Sequence, residues 1–322
     1  MEPRKNIVVL DGYSLNPGDL DWDPLRSLGN LQLFDRTAED EVIARARDAQ
    51  IVLTNKTRIS AETLKQLPKL RYVGVLATGY DVVDLDAAHE QGIVVTNIPV
   101  YGTASVAQFT FALLLELCHH VALHSNTVRC GEWSRSPDFS FWKTPLMELA
   151  GRTFGILGFG KIGRRVGEIA IAFEMRVIAA DAVRGVTPNW PGFRWCDTDE
   201  LLSHSDIISL HCPLLPSTRG LINASSINKM KQSAFLLNVA RGQLIVEQDL
   251  ADALNSGRIA GAAVDVLSTE PPASANPLLS AKNCIVTPHI AWATKEARTR
   301  LLNTAIANVH AFLDGNPSNV VS

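Results

Sequence analysis

Residues 154–163, Phe154-Gly155-Ile156-Leu157-Gly158-Phe159-Gly160-Lys161-Ile162-Gly163, read as a buried strand that enters a tight glycine turn and leaves it as a helix. A dinucleotide pyrophosphate requires this arrangement, because the first turn of a helix offers an anion unpaired N–H groups and a favourable dipole. Gly158 lets the chain turn sharply, Gly160 lets the backbone approach the phosphates, and Gly163 lets the helix pack close to the strand. The amides of Lys161 and Ile162 then face the anion. G-x-G-x-x-G also occurs in turns that bind nothing, so the surrounding sequence has to carry the reading.

Downstream, a strand over 176–180 ends at Asp181, eighteen residues beyond Gly163. A carboxylate there accepts hydrogen bonds from the adenosine ribose and repels a 2′-phosphate, which favours NAD (as NADH) over NADP. Arg184 lies close enough to pull the other way. Further strands over 207–210, 234–238 and 261–264 end in polar or proline-containing turns: His211-Cys212-Pro213, Arg241-Gly242 and Asp265. These turns line the cofactor crevice of a parallel sheet.

Upstream, the first hundred residues alternate β-rich runs (7–10, 31–34, 51–53, 72–75, 93–96) with amphipathic segments (39–47, 61–67, 84–91). Such alternation implies a second parallel sheet covered on both faces. The loop Leu76-Ala77-Thr78-Gly79 leaves the carboxyl end of one of these strands. Its successive amides suit a carboxylate nest, and equally an ordinary strand-to-helix loop. After Asn97-Ile98-Pro99 the pattern changes to a long helix over 103–127, then to an aromatic-rich excursion over 131–142 that ends at Trp142. An arm of this kind covers a neighbouring subunit or closes over a ligand. The last helix, 294–313, belongs with the first hundred residues. The expected division is therefore 1–99 plus 291–322 for one domain and 100–290 for the other, with an arm about 103–142.

The 322 residues suffice for two domains, and 46% hydrophobic with 20% charged residues describes a globular chain. A formal charge of -3 without a basic stripe argues against nucleic-acid binding. The apolar run at 7–10 is too short for a signal peptide, and the stretch around 109–117 is too short and too polar to span a bilayer, so no membrane partner and a cytoplasmic location are expected. The five cysteines are scattered without a C-x-x-C pair, which fits small buried side chains rather than disulfides or zinc ligands. Glu116, His120 and His124 share one face of a continuous helix and could approach a divalent cation. No fourth ligand is evident, so a polar stripe is the plainer reading and no metal is expected.

Three stretches carry chemistry. In Asn238-Val239-Ala240-Arg241-Gly242 an arginine follows an apolar strand, where it can clamp a carboxylate and polarise a neighbouring carbonyl, or simply join a surface ion pair. Glu270 precedes the proline pair Pro271-Pro272, and His289 follows Thr287-Pro288. A glutamate paired with a histidine orients the ring and favours its protonated form, as a general acid requires.

Taken together, these runs resemble the D-isomer-specific 2-hydroxyacid dehydrogenase family over nearly the full chain. The resemblance implies an α/β protein of two doubly wound parallel-sheet domains, a Rossmann NAD-binding domain inserted into a flavodoxin-like substrate domain, and a homodimer. It implies Arg241 as substrate clamp, His289 as acid/base and Glu270 as its partner. It also implies Asp265 on the nicotinamide carboxamide, His211, Pro213 and Ala240 along the cofactor, and Leu76, Ala77, Thr78, Gly79 and Trp142 at the substrate, a small 2-oxo or 2-hydroxy acid. The segments at 75–79 and 136–142 are most like the glycerate dehydrogenase and hydroxypyruvate reductase branch. A phosphoglycerate dehydrogenase-like enzyme and an NAD-responsive corepressor-like binding protein remain the alternatives.

Overall fold

The computed structural model describes residues 4–322, which divide into two compact units, 4–102 with Ala293–Ser322, and Thr103–Trp292. In the first unit β1 (Asn6–Val9), β2 (Asn30–Leu33), β3 (Ile51–Thr54), β4 (Tyr72–Val75) and β5 (Val94–Thr96) form one parallel sheet in the order β2-β1-β3-β4-β5. β3 and β4 are largely apolar, β-branched-rich and buried throughout, as strands covered on both faces must be, whereas edge strand β2 is not. The intervening helices are short: α1 (Asp23–Leu28), α2 (Val42–Ala46), α3 (Ala61–Lys65) and α4 (Leu85–Glu90). The C-terminal helix, Lys295–Leu313, joins this unit; Thr294 caps it by accepting the Ala297 N–H, and Phe312 packs on Tyr72 with ring centroids 4.7 Å apart. Its Arg298 is buried and makes a two-pronged pair with Asp19.

The second unit opens with α5 (Thr103–His119) and α6 (Val121–Arg129), not the single helix that 103–127 suggests. The two axes diverge by 55°. His120 adopts a left-handed φ of 46°, and the Cys118 carbonyl accepts the Met147 N–H instead of continuing the helical ladder. Among the described residues no single helix is long and apolar enough to cross a membrane.

The sheet of this unit contains β6 (Thr153–Leu157), β7 (Arg176–Ala180), β8 (Arg194–Trp195), β9 (Ile207–Leu210), β10 (Phe235–Asn238), β11 (Gly261–Val264) and β12 (Cys284–Val286). All pair in parallel, in the order β12-β11-β10-β9-β6-β7-β8. The order reverses at β6, so the β6/β9 boundary is the switch point at which ligands enter open α/β sheets. α5 and α7 (Lys161–Ala172) cover one face, with Phe111 stacked between Phe154 and Phe173; α8 (Thr198–His204), α9 (Ala224–Ile227) and α10 (Glu247–Asn255) cover the other.

Candidate active site

At the switch point the glycine turn has the shape that its composition dictates. Gly158 has φ +92°, and a Cβ there would lie 2.4 Å from the Cys212 amide nitrogen at the end of β9. A Cβ on Gly163 would lie 2.2 Å from the Gly158 carbonyl, so only glycine lets α7 rest on the turn. At Gly160 a Cβ would meet nothing within 4 Å. Its missing side chain therefore keeps space open at the start of a 12-residue helix whose N-terminus has no side-chain cap. Space, glycine and uncapped Lys161 and Ile162 amides together fit a dinucleotide pyrophosphate.

Asp181 does more than the sequence suggests. Its Oδ2 accepts the Phe159 N–H at 2.6 Å and its Oδ1 the Val183 N–H at 3.1 Å, so it braces the turn from the end of β7. The Phe159 ring is buried against Trp190, Phe193 and Trp195, with the Arg164 guanidinium 5.0 Å from its centroid. Arg184 is exposed and makes one long bond, 3.4 Å, to the Cys196 carbonyl. His211 bonds Ser209 through Nε2 at 2.8 Å, and burial pushes the ring down to about 3, so it stays neutral. Pro213 is exposed beside it, its carbonyl accepting the Thr218 hydroxyl.

The groups suited to acid–base chemistry meet at the carboxyl ends of β10, β11 and β12. His289 Nδ1 and Glu270 Oε2 are 2.6 Å apart, and Glu270 Oε1 accepts the Leu267 N–H at 3.0 Å. The carboxylate is thus held from both sides and engages the ring through Nδ1, which leaves Nε2 as the nitrogen for proton transfer. His289 itself has φ +54°, a conformation an unbranched L residue keeps only when its surroundings impose it. Asp265 imposes it. Its carbonyl accepts the His289 N–H (2.8 Å), and its carboxylate takes the Thr287 hydroxyl (2.6 Å) and the Ile290 and Ala291 N–H groups (2.9 and 2.8 Å). Burial raises the Asp265 carboxyl, and these bonds oppose that rise.

Arg241 follows β10 and is exposed, with Nη1 on the Ala240 carbonyl at 2.8 Å. Gly242 fixes the next step, because a Cβ there would fall 1.9 Å from the Leu267 carbonyl carbon. The arginine turn and the loop that leads to Glu270 are therefore in direct backbone contact. Glu247 and Gln243 add to this joint: Glu247 accepts the Ser268 N–H and the Asn276 amide, and Gln243 donates to the Ser268 carbonyl. Neither was marked by any sequence motif.

In the first unit the loop after β4 departs from expectation at one point. The Leu76 N–H is taken by the Thr54 carbonyl at 2.7 Å, so Leu76 offers no amide to a ligand. Ala77, Thr78 and Gly79 donate no backbone bond among the described residues. Thr78 is tied down by its hydroxyl, on the Ile98 carbonyl, and by its carbonyl, which accepts the Asn97 amide. Parallel pairing of β3 with β4 also brings residues 55–58 beside this loop, with Lys56 and Arg58 exposed. Asp11 holds that segment by accepting the N–H groups of Asn55, Lys56 and Thr57.

Trp142 is 68% exposed, and Phe139 in the same arm is 92% exposed. His124 uses both ring nitrogens, on the His120 carbonyl and the Lys143 N–H, so Glu116, His120 and His124 form no common ligand set. Of the cysteines only Cys118 and Cys196 are buried, and Cys130 is exposed.

Residues 111–291 match the NAD-binding domain of the D-isomer-specific 2-hydroxyacid dehydrogenases. The chain belongs to this family. This dehydrogenase is 55% identical to a hydroxypyruvate reductase of Blautia hydrogenotrophica over 319 residues, 98% of this chain and 99% of the relative. It is 42% identical to a glycerate dehydrogenase of Methylorubrum extorquens over 284 residues, 88% of each chain. Among solved structures it resembles an acyclic imino acid reductase in complex with NADPH and D-Arg, with TM-score 0.86, 31% identity and coverage of 98% and 100%. It also resembles the apo-structure of D-lactate dehydrogenase from Escherichia coli, with TM-score 0.83, 28% identity and coverage of 98% and 100%.

Proposed function

We propose that the chain is a cytoplasmic, NADH-dependent dehydrogenase that reversibly reduces hydroxypyruvate or glyoxylate to D-glycerate or glycolate. The observation that carries the proposal is the Glu270–His289 contact, held at the carboxyl end of the same sheet that carries the glycine turn. The 55% identical hydroxypyruvate reductase supports the substrate.

When bound, the dinucleotide supplies the hydride; the protein's residues do the rest. Arg241 pairs with the substrate carboxylate and polarises the C2 carbonyl, stabilising negative charge as it develops on that oxygen. His289, oriented through Nδ1 by Glu270, gives its Nε2 proton to the same oxygen and takes it back in the reverse direction. The amides of Ala77, Thr78 and Gly79 receive the carboxylate, and Trp142 shields the substrate. Gly158, Gly160, Lys161, Ile162 and Gly163 hold the pyrophosphate, Asp181 the ribose, and His211, Pro213 and Ala240 the rest of the cofactor. Asp265 has lone-pair capacity left for the nicotinamide carboxamide, since three of about four carboxylate acceptor positions are used within the loop.

A homodimer is part of the proposal. Val121, Trp133, Phe139 and Trp142 are all more than half exposed within one arm, which a second copy would cover. Light scattering should give twice the 35.0 kDa chain mass.

Lys56 and Arg58 favour one further reading, a substrate with a second anionic group such as 3-phosphohydroxypyruvate. Rates of NADH and NADPH oxidation with hydroxypyruvate, glyoxylate, pyruvate and 3-phosphohydroxypyruvate decide between them. The proposal expects hydroxypyruvate to give the highest kcat/KM, NADH to be preferred, and His289→Ala to lose on the order of 100-fold or more. A preference for the phosphorylated acid supports the second reading. Failure to reduce any 2-oxo acid overturns both.

A further inference from the structure

Arg241 projects from a turn, yet a clamp must hold its guanidinium in one place, and Arg241 has no ion-pair partner among the described residues. The side chain that controls its backbone lies beneath it. Asn238, the last residue of β10, is wholly buried, and both ends of its amide are used on the turn above. Its Nδ2 donates to the Arg241 carbonyl at 2.9 Å and its Oδ1 accepts the Ala240 N–H at 3.0 Å. Its own carbonyl accepts the Asp265 N–H at 2.9 Å, which ties the same residue to the strand that leads to the histidine's brace.

A buried amide so placed is more than a space filler. An apolar residue of the same size would leave the Ala240 N–H without its partner and the Arg241 carbonyl with only the Leu244 N–H at 3.2 Å, and the turn would lose its closure over residues 239–241. Gly242 constrains the turn from its far side only, by its contact with residues 267–268. Asn238 supplies the restraint from within. We infer that Asn238 is the positioning residue of Arg241: it closes the turn over residues 239–241 and so fixes the direction of the guanidinium. The inference rests on the reading of Arg241 as the substrate clamp.

A misplacement of about 1 Å costs on the order of 100-fold in rate, so the effect is measurable without any contact between Asn238 and substrate. The experiment is a double-mutant cycle of Asn238→Ala and Arg241→Ala, reading kcat/KM for hydroxypyruvate, NADH affinity by fluorescence and Tm. Asn238→Asp runs in parallel, since it keeps the acceptor for Ala240 and lacks the donor to Arg241; it carries the test if the alanine variant does not fold. Positioning predicts a loss of roughly 10- to 100-fold in kcat/KM, mostly in KM, with NADH affinity within about twofold of the parent. It also predicts that adding either Asn238 substitution to Arg241→Ala changes kcat/KM by less than about twofold. An equal loss in both backgrounds, or a loss of NADH affinity that matches the loss of kcat/KM, overturns the assignment of Asn238. An Arg241→Ala variant with undiminished kcat/KM overturns the clamp itself, which separates that failure from this one.

Discussion

Glu270→Gln keeps the side chain's size and removes its charge and one acceptor, which makes it a sharp probe of the histidine. Both carboxylate oxygens face donors, His289 Nδ1 at 2.6 Å and the Leu267 N–H at 3.0 Å. A glutamine has one oxygen for these two positions. With the oxygen toward Leu267, its NH₂ faces Nδ1, which only a neutral ring bare of a proton there can accept. With the oxygen toward Nδ1, the NH₂ confronts the Leu267 N–H and leaves it unsatisfied. The first placement forfeits a hydrogen bond to a charged group, about 1.5–3 kcal/mol, and the second strands an amide at about 1–3 kcal/mol. The two side chains are only 30% and 35% exposed, so water replaces part of the loss and not all of it. A net cost of about 1.4–2.8 kcal/mol corresponds to a 10- to 100-fold fall in kcat/KM for reduction. Initial rates of NADH oxidation at saturating NADH measure it directly. A kcat/KM within about twofold of the parent across the neutral range would refute the assignment of Glu270 as the histidine's partner.

Other expectations follow from the same geometry. Arg241→Lys keeps the charge but cannot reach carboxylate and carbonyl together, so steady-state kinetics should show kcat/KM lower by roughly tenfold or more; parent-like kinetics would mean that charge alone suffices. Gly160→Ala should leave Tm nearly unchanged, since its Cβ meets no atom within 4 Å, while isothermal titration shows weakened NADH binding. Gly163→Ala should behave oppositely, losing about 1–3 kcal/mol of stability through its 2.2 Å clash with the Gly158 carbonyl, read as a lower Tm. Burial pushes the Asp206 carboxyl up, but the Thr153 N–H and Lys231 bonds outweigh burial and hold it below its ordinary 3.8. Its folded value lies under its unfolded one, so its stabilisation is present above 3.8 and fades as pH falls through the folded value. Asp206→Asn should flatten the acid limb of the urea-unfolding profile, and an unchanged limb would remove Asp206 from that account.

The parts of the fold legible in the sequence are those written locally. The runs at 51–53, 72–75 and 154–157 are continuously apolar, and each lies in a strand buried along its length. Gly158, Gly160 and Gly163 announce a turn because no other residue fits two of those places. What local pattern cannot report is pairing at a distance. The 103–127 segment has a helical period throughout; its break at His120 comes from Met147, which reaches back to the Cys118 carbonyl. Lys56 and Arg58 stand twenty residues before the Ala77 loop in sequence, and only the β3–β4 pairing makes them neighbours. Leu76 gives up its amide through the same pairing. Likewise Arg241, Glu270 and His289 stand out as residue types, whereas the bracing that buried Asn238 and Asp265 give their backbone is written nowhere in the local pattern. β8 escapes notice because two residues, Arg194–Trp195, make no run.

Gly242 has a bearing on how such a catalyst can diversify. The backbone of residues 267–268 occupies the volume that any side chain at 242 would need. The arginine turn and the glutamate loop consequently have no clearance between them, and neither can lengthen or carry bulk without displacing the other. Substitutions that widen or narrow the range of acids accepted must therefore accumulate away from this joint. The exposed arm and the loops at 55–58 and 77–79 have that freedom, and they are where a screen for altered substrate range should begin.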